Sequence, residues 1–390
     1  MKHAEILHRC FRCGYCKLPG NYIDFNCPAY AAFRFETYSP GGRMWLLRAW
    51  LEDKIGPSDR FQEILFSCTA CGNCVEQCTM TKIKDELLDA FTAGKEELAG
   101  QGKVPPPVRD CLTKLQKYGN PYGLAKKKRT GWVADSGVES FSNQEYLFFP
   151  GDVGAFDSRG QEITRSVALL LKRAGVSFGI LGEGEVSDGN EARAMGEYDL
   201  FQMLAEDNIR SFDSAGVKKI IALSPHGFNA LKNEYPALGG TYRVYHYTQI
   251  LEKHAHGLTF EEGLPPIQVT YHDPCYLGRH NREYEAPRRF LSTLPGVKLC
   301  EMDRARRDAF CCGGGGGNLF TDVIGNGPES PARRRAAEAA ETGAEILAVS
   351  CPSCAVMLED AVKAANLENR LQVREISEIA HERLIDSKVS

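Results

Sequence analysis

Fifteen cysteines in 390 residues, most of them in tight groups, constrain this chain more than any other feature. Cys10, Cys13 and Cys16 are spaced Cys-x2-Cys-x2-Cys and are followed by Cys27-Pro28. Cys68, Cys71 and Cys74 repeat that spacing and are followed at once by Cys78. Such a triplet wraps a short loop around one face of a [4Fe–4S] cube, and in two-cube ferredoxins each motif's fourth cysteine serves the other cube. The spacing therefore groups Cys10, Cys13, Cys16 and Cys78 around a first cluster, and Cys68, Cys71, Cys74 and Cys27 around a second. Gly14 and Gly72 stand where the two loops turn. Structural zinc uses pairs of cysteines, not two triplets with matched fourth members. The departures are a ten-residue gap before Cys27 and Thr79 where proline is usual. The long gap leaves room for a helical insertion.

The cysteines also exclude a secreted disulfide framework. They cluster, two are adjacent, and no secretory signal precedes Cys10. A reduced, cytoplasmic, metal-binding protein is expected. No run of eighteen apolar residues occurs, so a direct membrane span is not expected, and any membrane association would come through partner subunits. The net charge of −4 gives no global field for nucleic acid or an anionic membrane. Local basic runs at Lys126–Arg129 and Arg333–Arg335 read as solvated faces or linker, with a docking patch for an acidic redox partner as the alternative.

Hydrophobic patterning divides the chain. Within residues 1–100, Met44-Trp45-Leu46-Leu47 and Trp50-Leu51 after Pro40-Gly41-Gly42 suit an amphipathic helix, and Lys82–Leu98 suits another. Residues 101–144 read as a linker, because Pro105-Pro106-Pro107 breaks structure and Asn120-Pro121-Tyr122-Gly123 signals a turn. From about residue 145, short apolar strands alternate with helices, and the pattern repeats. Gly216-Val217-Lys218-Lys219-Ile220-Ile221-Ala222-Leu223-Ser224-Pro225-His226-Gly227 aligns with Gly343-Ala344-Glu345-Ile346-Leu347-Ala348-Val349-Ser350-Cys351-Pro352-Ser353-Cys354. Each is a helix-ending glycine, a buried strand and a turn into another helix, which predicts two copies of one parallel α/β unit over 145–255 and 256–390.

The second copy carries His272-Asp273-Pro274-Cys275, Phe310-Cys311-Cys312-Gly313 and Cys351-Pro352-Ser353-Cys354. Adjacent cysteines chelate one zinc poorly but suit neighbouring irons. With these motifs the chain resembles the heterodisulfide reductase D-like proteins along nearly its whole length. The resemblance implies an α+β multidomain protein: an α-helical two-cluster ferredoxin domain followed by two tandem α/β CCG (cysteine-rich) units. It further implies a noncubane [4Fe–4S] cluster held by Cys275, Cys311, Cys312, Cys351 and Cys354. In the first copy the family's cysteine positions hold Asp152, Ser187, Asp188, Ser224 and Gly227. Oxygen donors are poor ligands for these clusters, so that copy is read as a scaffold.

Weaker features are read plainly. Gly313–Gly317 lacks the Lys-Ser/Thr of a phosphate loop and is read as close backbone approach to the cluster. Cys351-x2-Cys354 alone would match a redox pair. His272 is either a donor to a cluster sulfur or a turn residue. Cys111 and Cys300 belong to no motif.

The resemblance implies an iron–sulfur electron-transfer subunit of a multi-subunit anaerobic redox complex, such as the electron-transfer component of a class II benzoyl-CoA reductase. It would relay electrons between a flavoprotein and a catalytic partner. No flavin or nicotinamide fingerprint is present to do two-electron chemistry. The alternatives are the iron–sulfur subunit of a flavin-linked 2-hydroxy-acid (glycolate or lactate) dehydrogenase, and a thiol–disulfide (heterodisulfide) reductase catalysing at the C-terminal cluster. The degenerate first copy argues against the last.

Overall fold

Eight short strands, most of them largely buried, form two separate parallel sheets. In the computed structural model, which describes residues 1–21, 23–134 and 136–385, the first sheet contains β1 (Tyr146–Phe149), β2 (Phe178–Gly179), β3 (Lys219–Ala222) and β4 (Arg243–His246), in the order β2-β1-β3-β4. The second contains β5 (Ile267–Tyr271), β6 (Val297–Leu299), β7 (Ile346–Val349) and β8 (Gln372–Glu375), in the order β6-β5-β7-β8. The two orders are the same, as the internal repeat requires. Every pair is parallel, with Leu147 beside Ile220 in one sheet and Val269 beside Ile346 in the other. Parallel neighbours need crossover connections, and helices supply them.

The aligned repeat explains how each unit places its loops. Gly216 and Gly343 end helices with φ of 73° and 74°, the left-handed region that favours glycine. The chain then enters β3 or β7, and Pro225 or Pro352 begins the following helix at a position where a missing N–H costs nothing. Both turns therefore lie at the C-terminal edge of their sheet, where open α/β sheets build sites.

The two units pack through helices. Ser158–Arg173 lies against Pro352–Ala364 and Ile376–His381, and Tyr247–His254 lies against Glu285–Thr293. Arg159 joins them by donating to Glu359 at 2.6 Å and to Glu378 at 2.7 Å. Tyr146, Phe148, Ile221 and Leu223 face a core shared with the second unit, whereas Leu147, Phe149, Ile220 and Ala222 face one shared with the N-terminal helices. The strand period of two thus sandwiches the first sheet between the other two parts of the chain.

The N-terminal region is helical: Pro28–Phe33, Pro40–Leu51, Asp59–Phe66, Leu87–Gly100 and Pro106–Tyr118. The helix expected over 82–98 begins later, after a 3-10 turn at Lys84–Glu86. The expected linker holds a 13-residue helix instead. Proline disfavours a helix interior but suits its first turn, so the triple proline starts Pro106–Tyr118. That helix buries Val108, Cys111, Leu112 and Leu115. The basic runs are corrected in part, since Lys126, Lys127 and Lys128 are exposed as expected. Arg129 is buried on Asp152 at 2.7 Å, Arg334 pairs with Asp24, and Arg335 is wholly buried.

Pro40-Gly41-Gly42 forms the first turn of its helix, where Gly42 N–H donates to Ser39 Oγ at 3.0 Å. A Cβ on Gly42 would lie 2.0 Å from the Glu36 carbonyl oxygen. Gly42→Ala therefore forces backbone apart and is expected to cost about 1–3 kcal/mol. Anaerobic urea unfolding checks this: the midpoint falls while the slope is unchanged.

Candidate metal centres

The two N-terminal triplets turn alike. Gly14 (φ 87°) and Gly72 (φ 77°) occupy the left-handed region between second and third cysteines. The third cysteines then lie in the short helices Tyr15–Lys17 and Asn73–Gln77. The loops are tied together, since Asn73 Nδ2 donates to the Cys16 carbonyl at 3.1 Å and Asn26 Nδ2 donates to Asn73 Oδ1 at 2.6 Å.

The fourth cysteines cross over. Cys78 lies within electrostatic reach of Cys13 and Cys10, and Cys27 within reach of Cys71 and Cys68. Cys16 and Cys74 stand between the two groups. A void is lined by Cys27, Cys68, Cys71 and Cys74, with Cys16 at its edge. Burial pushes the Cys16 thiol up to about 12 and the Cys27 thiol up to about 11. As free thiolates these groups would be strongly disfavoured, and a cationic iron centre reverses that. Buried Arg43 supports Cys27, its guanidinium held by the Ile64 carbonyl and Ser67 Oγ, both at 2.9 Å.

The five C-terminal cysteines are all buried and all free. Cys275 follows β5, and Cys351 precedes the helix Pro352–Ala364 that follows β7. Cys311 and Cys312 come from the connection between β6 and β7. Cys312 Sγ lies 3.4 Å from Cys354 Sγ, and Cys311 Sγ lies 4.0 Å from Cys275 Sγ. Hydrogen bonds from Cys311 and Cys354 hold Cys312 well below the ordinary thiol range despite its burial. His272 lies buried just after β5. Its Nδ1 accepts from Arg335 Nε at 3.1 Å, and ligand atoms of His272, Cys312 and Cys354 lie within 4.8 Å of one another.

The second N-terminal motif touches the C-terminal one. Cys71, Cys275, Tyr276 and Cys311 form one buried cluster. The glycine run is the joint: a Cβ on Gly315 would lie 2.4 Å from the Thr69 carbonyl, and one on Gly316 2.3 Å from the Cys68 carbonyl. The close backbone approach is thus to the neighbouring motif. Arg279 spans the same joint, donating to the carbonyls of Cys71 at 2.7 Å and Ala309 at 2.6 Å. Its Nη2, like His272 Nε2, is buried with no hydrogen-bond partner among the described residues. Unpartnered donors beside grouped thiols fit an anionic, sulfide-bearing group, and the donor set is sulfur throughout.

The five corresponding positions of the first unit also converge, but their polar groups are engaged by protein. Asp152 accepts from Arg129 at 2.7 Å, and Asp188 Oδ1 from Asn190 N at 2.8 Å. Ser187 Oγ accepts from Gly189 N at 3.3 Å, and Ser224 Oγ from His226 N at 3.2 Å. A Cβ on Gly227 would meet Asp188 at 3.1 Å. Burial, reinforced by the charge of Asp152, pushes Asp188 up to about 7. Nearby, buried His226 donates to Glu191 at 2.7 Å. Burial alone would lower the imidazole, but the hydrogen bond and charge of Glu191 outweigh it and raise His226 to about 9. The other oxygen of Glu191 accepts from Gly317 N at 2.6 Å, so the first unit holds the glycine run in place.

Arg279, Arg335, Arg43 and Glu191 carry no motif, and only their burial beside cysteine loops identifies them. Cys111 packs in the N-terminal core, and Cys300 Sγ lies 3.5 Å from the Val269 carbonyl. Among the described residues no helix is long and apolar enough to cross a membrane.

Known proteins carry the same arrangement. Residues 6–81 match a 4Fe-4S dicluster domain, and residues 146–232 and 269–359 each match a cysteine-rich domain. The chain is 36% identical over 330 residues to the "Probable iron-sulfur-binding oxidoreductase FadF" of Bacillus subtilis, covering 82% of this chain and 46% of that protein. It is 32% identical over 424 residues to "EtfAB:quinone oxidoreductase" of Syntrophomonas wolfei, covering 96% and 57%. The chain thus spans about half the length of these two relatives. It is 30% identical over 407 residues to the D subunit of the dihydromethanophenazine:CoB--CoM heterodisulfide reductase of Methanosarcina barkeri, covering 97% and 94%. A crystal structure of a hypothetical protein from Helicobacter pylori shares the fold, with a TM-score of 0.58 at 13% identity over 98% of this chain and 72% of that one. Matched nearly end to end by the Methanosarcina protein, and carrying a 4Fe-4S dicluster domain and two cysteine-rich domains, the chain belongs to the heterodisulfide reductase D-like family of iron–sulfur proteins.

Proposed function

We propose that the chain is an electron relay within a larger redox assembly, passing electrons between a flavoprotein and a catalytic partner through three iron–sulfur centres in series. Cys10, Cys13, Cys16 and Cys78 would hold the first cubane [4Fe–4S] cluster. Cys68, Cys71, Cys74 and Cys27 would hold the second. Cys275, Cys311, Cys312, Cys351 and Cys354 would hold a noncubane [4Fe–4S] cluster. Each supplies one-electron redox chemistry when bound.

The observation that carries this reading is the joint between the second and third groups. Cys71 packs with Cys275 and Cys311, and glycines let the two backbones meet. Electron transfer falls steeply with distance, so direct packing of ligand loops serves conduction. Arg279, fixed across the joint, places a charge beside Cys71, Cys275 and Cys311 alike. Such a cation favours the reduced, more negative state of whatever those thiolates hold.

A cavity beside this joint favours a relay over a disulfide-cleaving site. It is about 310 Å³ and includes Arg193, Arg279 and Arg282 in its lining. Arg282 is paired with Glu76 and Arg193 with Glu234, and Asp85 and Asp89 also line it. An anionic disulfide would meet Arg193 and Arg282 already paired, Arg279 held on the Cys71 and Ala309 carbonyls, and carboxylates that repel it.

Two measurements test the reading. Cys78→Ser should alter the paramagnetic resonance of the centre of Cys10, Cys13 and Cys16 and spare its neighbour, whereas Cys27→Ser should do the opposite; uncrossed effects would break the assignment. The purified chain with reduced viologen and glutathione disulfide should take up electrons once and then stop. Steady turnover that disappears in Cys311→Ser would make the chain a reductase.

A further inference from the structure

The first centre's rim has a surface chemistry of its own. Among the fifteen cysteines, Cys13 is the exposed one. Phe11 beside it is 74% exposed, the most exposed of the large apolar side chains among the described residues. Arg9 and Arg12 flank it and are exposed too. Arg12 is held in place by stacking its guanidinium on Trp45, 3.9 Å from the ring centre, and Arg48 lies over the same ring at 5.3 Å. Residues 1–17 carry Lys2, Arg9, Arg12 and Lys17 against Glu5 alone, in a chain whose net charge is −4. Lys17 is paired with Glu36 and Arg48 with Glu52, which leaves Arg9 and Arg12 as the cations facing outward around Phe11.

An exposed aromatic flanked in sequence by two exposed arginines, two residues from the exposed cysteine, has the composition of a docking centre. Its charge opposes that of the molecule as a whole, so a partner that the rest of the surface attracts weakly is oriented here. Resting on the relay reading above, we propose that Arg9, Phe11 and Arg12 form the docking surface for a protein partner with an acidic face over a one-electron carrier. One electron crosses per encounter: the partner's carrier is oxidised by one electron as the first centre is reduced by one, or the reverse. The basic run at Lys126–Lys128, although exposed, has no cysteine beside it and takes no part.

The test uses the full chain with its clusters, and reduced flavodoxin, an acidic flavoprotein, as the probe. Stopped-flow absorbance follows cluster reduction against ionic strength. For the parent chain the rate falls as salt rises. Arg9→Glu with Arg12→Glu should slow it at low salt by about tenfold or more and abolish the salt dependence. Arg9→Lys with Arg12→Lys should retain the rate, and Phe11→Ala should slow it while keeping the salt dependence. Lys126→Glu with Lys127→Glu and Lys128→Glu should match the parent, and dithionite should reduce all variants alike. Paramagnetic resonance separates the failures. Absence of the first-centre signal from the parent chain would sink the relay reading itself. An unchanged flavodoxin rate in the charge-reversed variant with that signal intact, or equal slowing by the lysine variant, would overturn this surface. Cosedimentation with phosphatidylglycerol vesicles that depends on Arg9 and Arg12 would assign it to a membrane instead. Should charge reversal cost the first centre, Phe11→Ala decides alone: a parental rate overturns the proposal.

Discussion

Burying a thiolate away from water is unfavourable unless a cation sits against it, and much of this molecule is organised around that constraint. Eight of the thirteen candidate ligand thiols are buried, and all thirteen are unbonded to one another. The surrounding structure is shaped to hold them close without letting them pair. Glycines take the left-handed turns, the Cys311–Cys312 pair enters a bed of glycines, and buried guanidiniums of Arg43, Arg279 and Arg335 stand behind the loops. Arginine suits this role because it stays charged when buried and its fork reaches several carbonyls at once.

The duplicated α/β unit shows what becomes of such a site when its thiols are lost. The first unit keeps the sheet order and the turn geometry, yet four of its five positions are filled by oxygen groups that bond to protein and the fifth is Gly227. The unit retains a structural task. Its Glu191, charged against His226, holds Gly317, and its helix Ser158–Arg173 packs on two helices of the second unit. A degenerate copy that still clamps the working copy explains why the two have one continuous core.

The chemistry was legible in the sequence because thiolate spacing is local: Cys-x2-Cys-x2-Cys means the same loop wherever it occurs. The repeat was legible for a similar reason, since glycine, strand and N1 proline recur together around Ile220 and Ile346. What escaped depends on contacts across the chain. Pro105-Pro106-Pro107 read as a break, and only packing of Val108, Leu112 and Leu115 on the core makes it a helix start. Arg333–Arg335 read as a charged surface, and Arg335 became a buried support for His272 because the helix turns that residue inward. Gly313–Gly317 read as close approach to the cluster, whereas the backbone it meets is that of Thr69 and Cys68, some 240 residues away in sequence, where no motif points.

Three centres joined through one chain is the claim on which the relay depends, and metal stoichiometry tests it most directly. Anaerobic preparation followed by iron and acid-labile sulfide analysis should give about twelve irons per chain if the proposed relay of three four-iron clusters holds. A reproducible value near eight irons, with the two cubane signals intact, would remove the C-terminal centre and contradict a path through Cys71, Cys311 and Cys275.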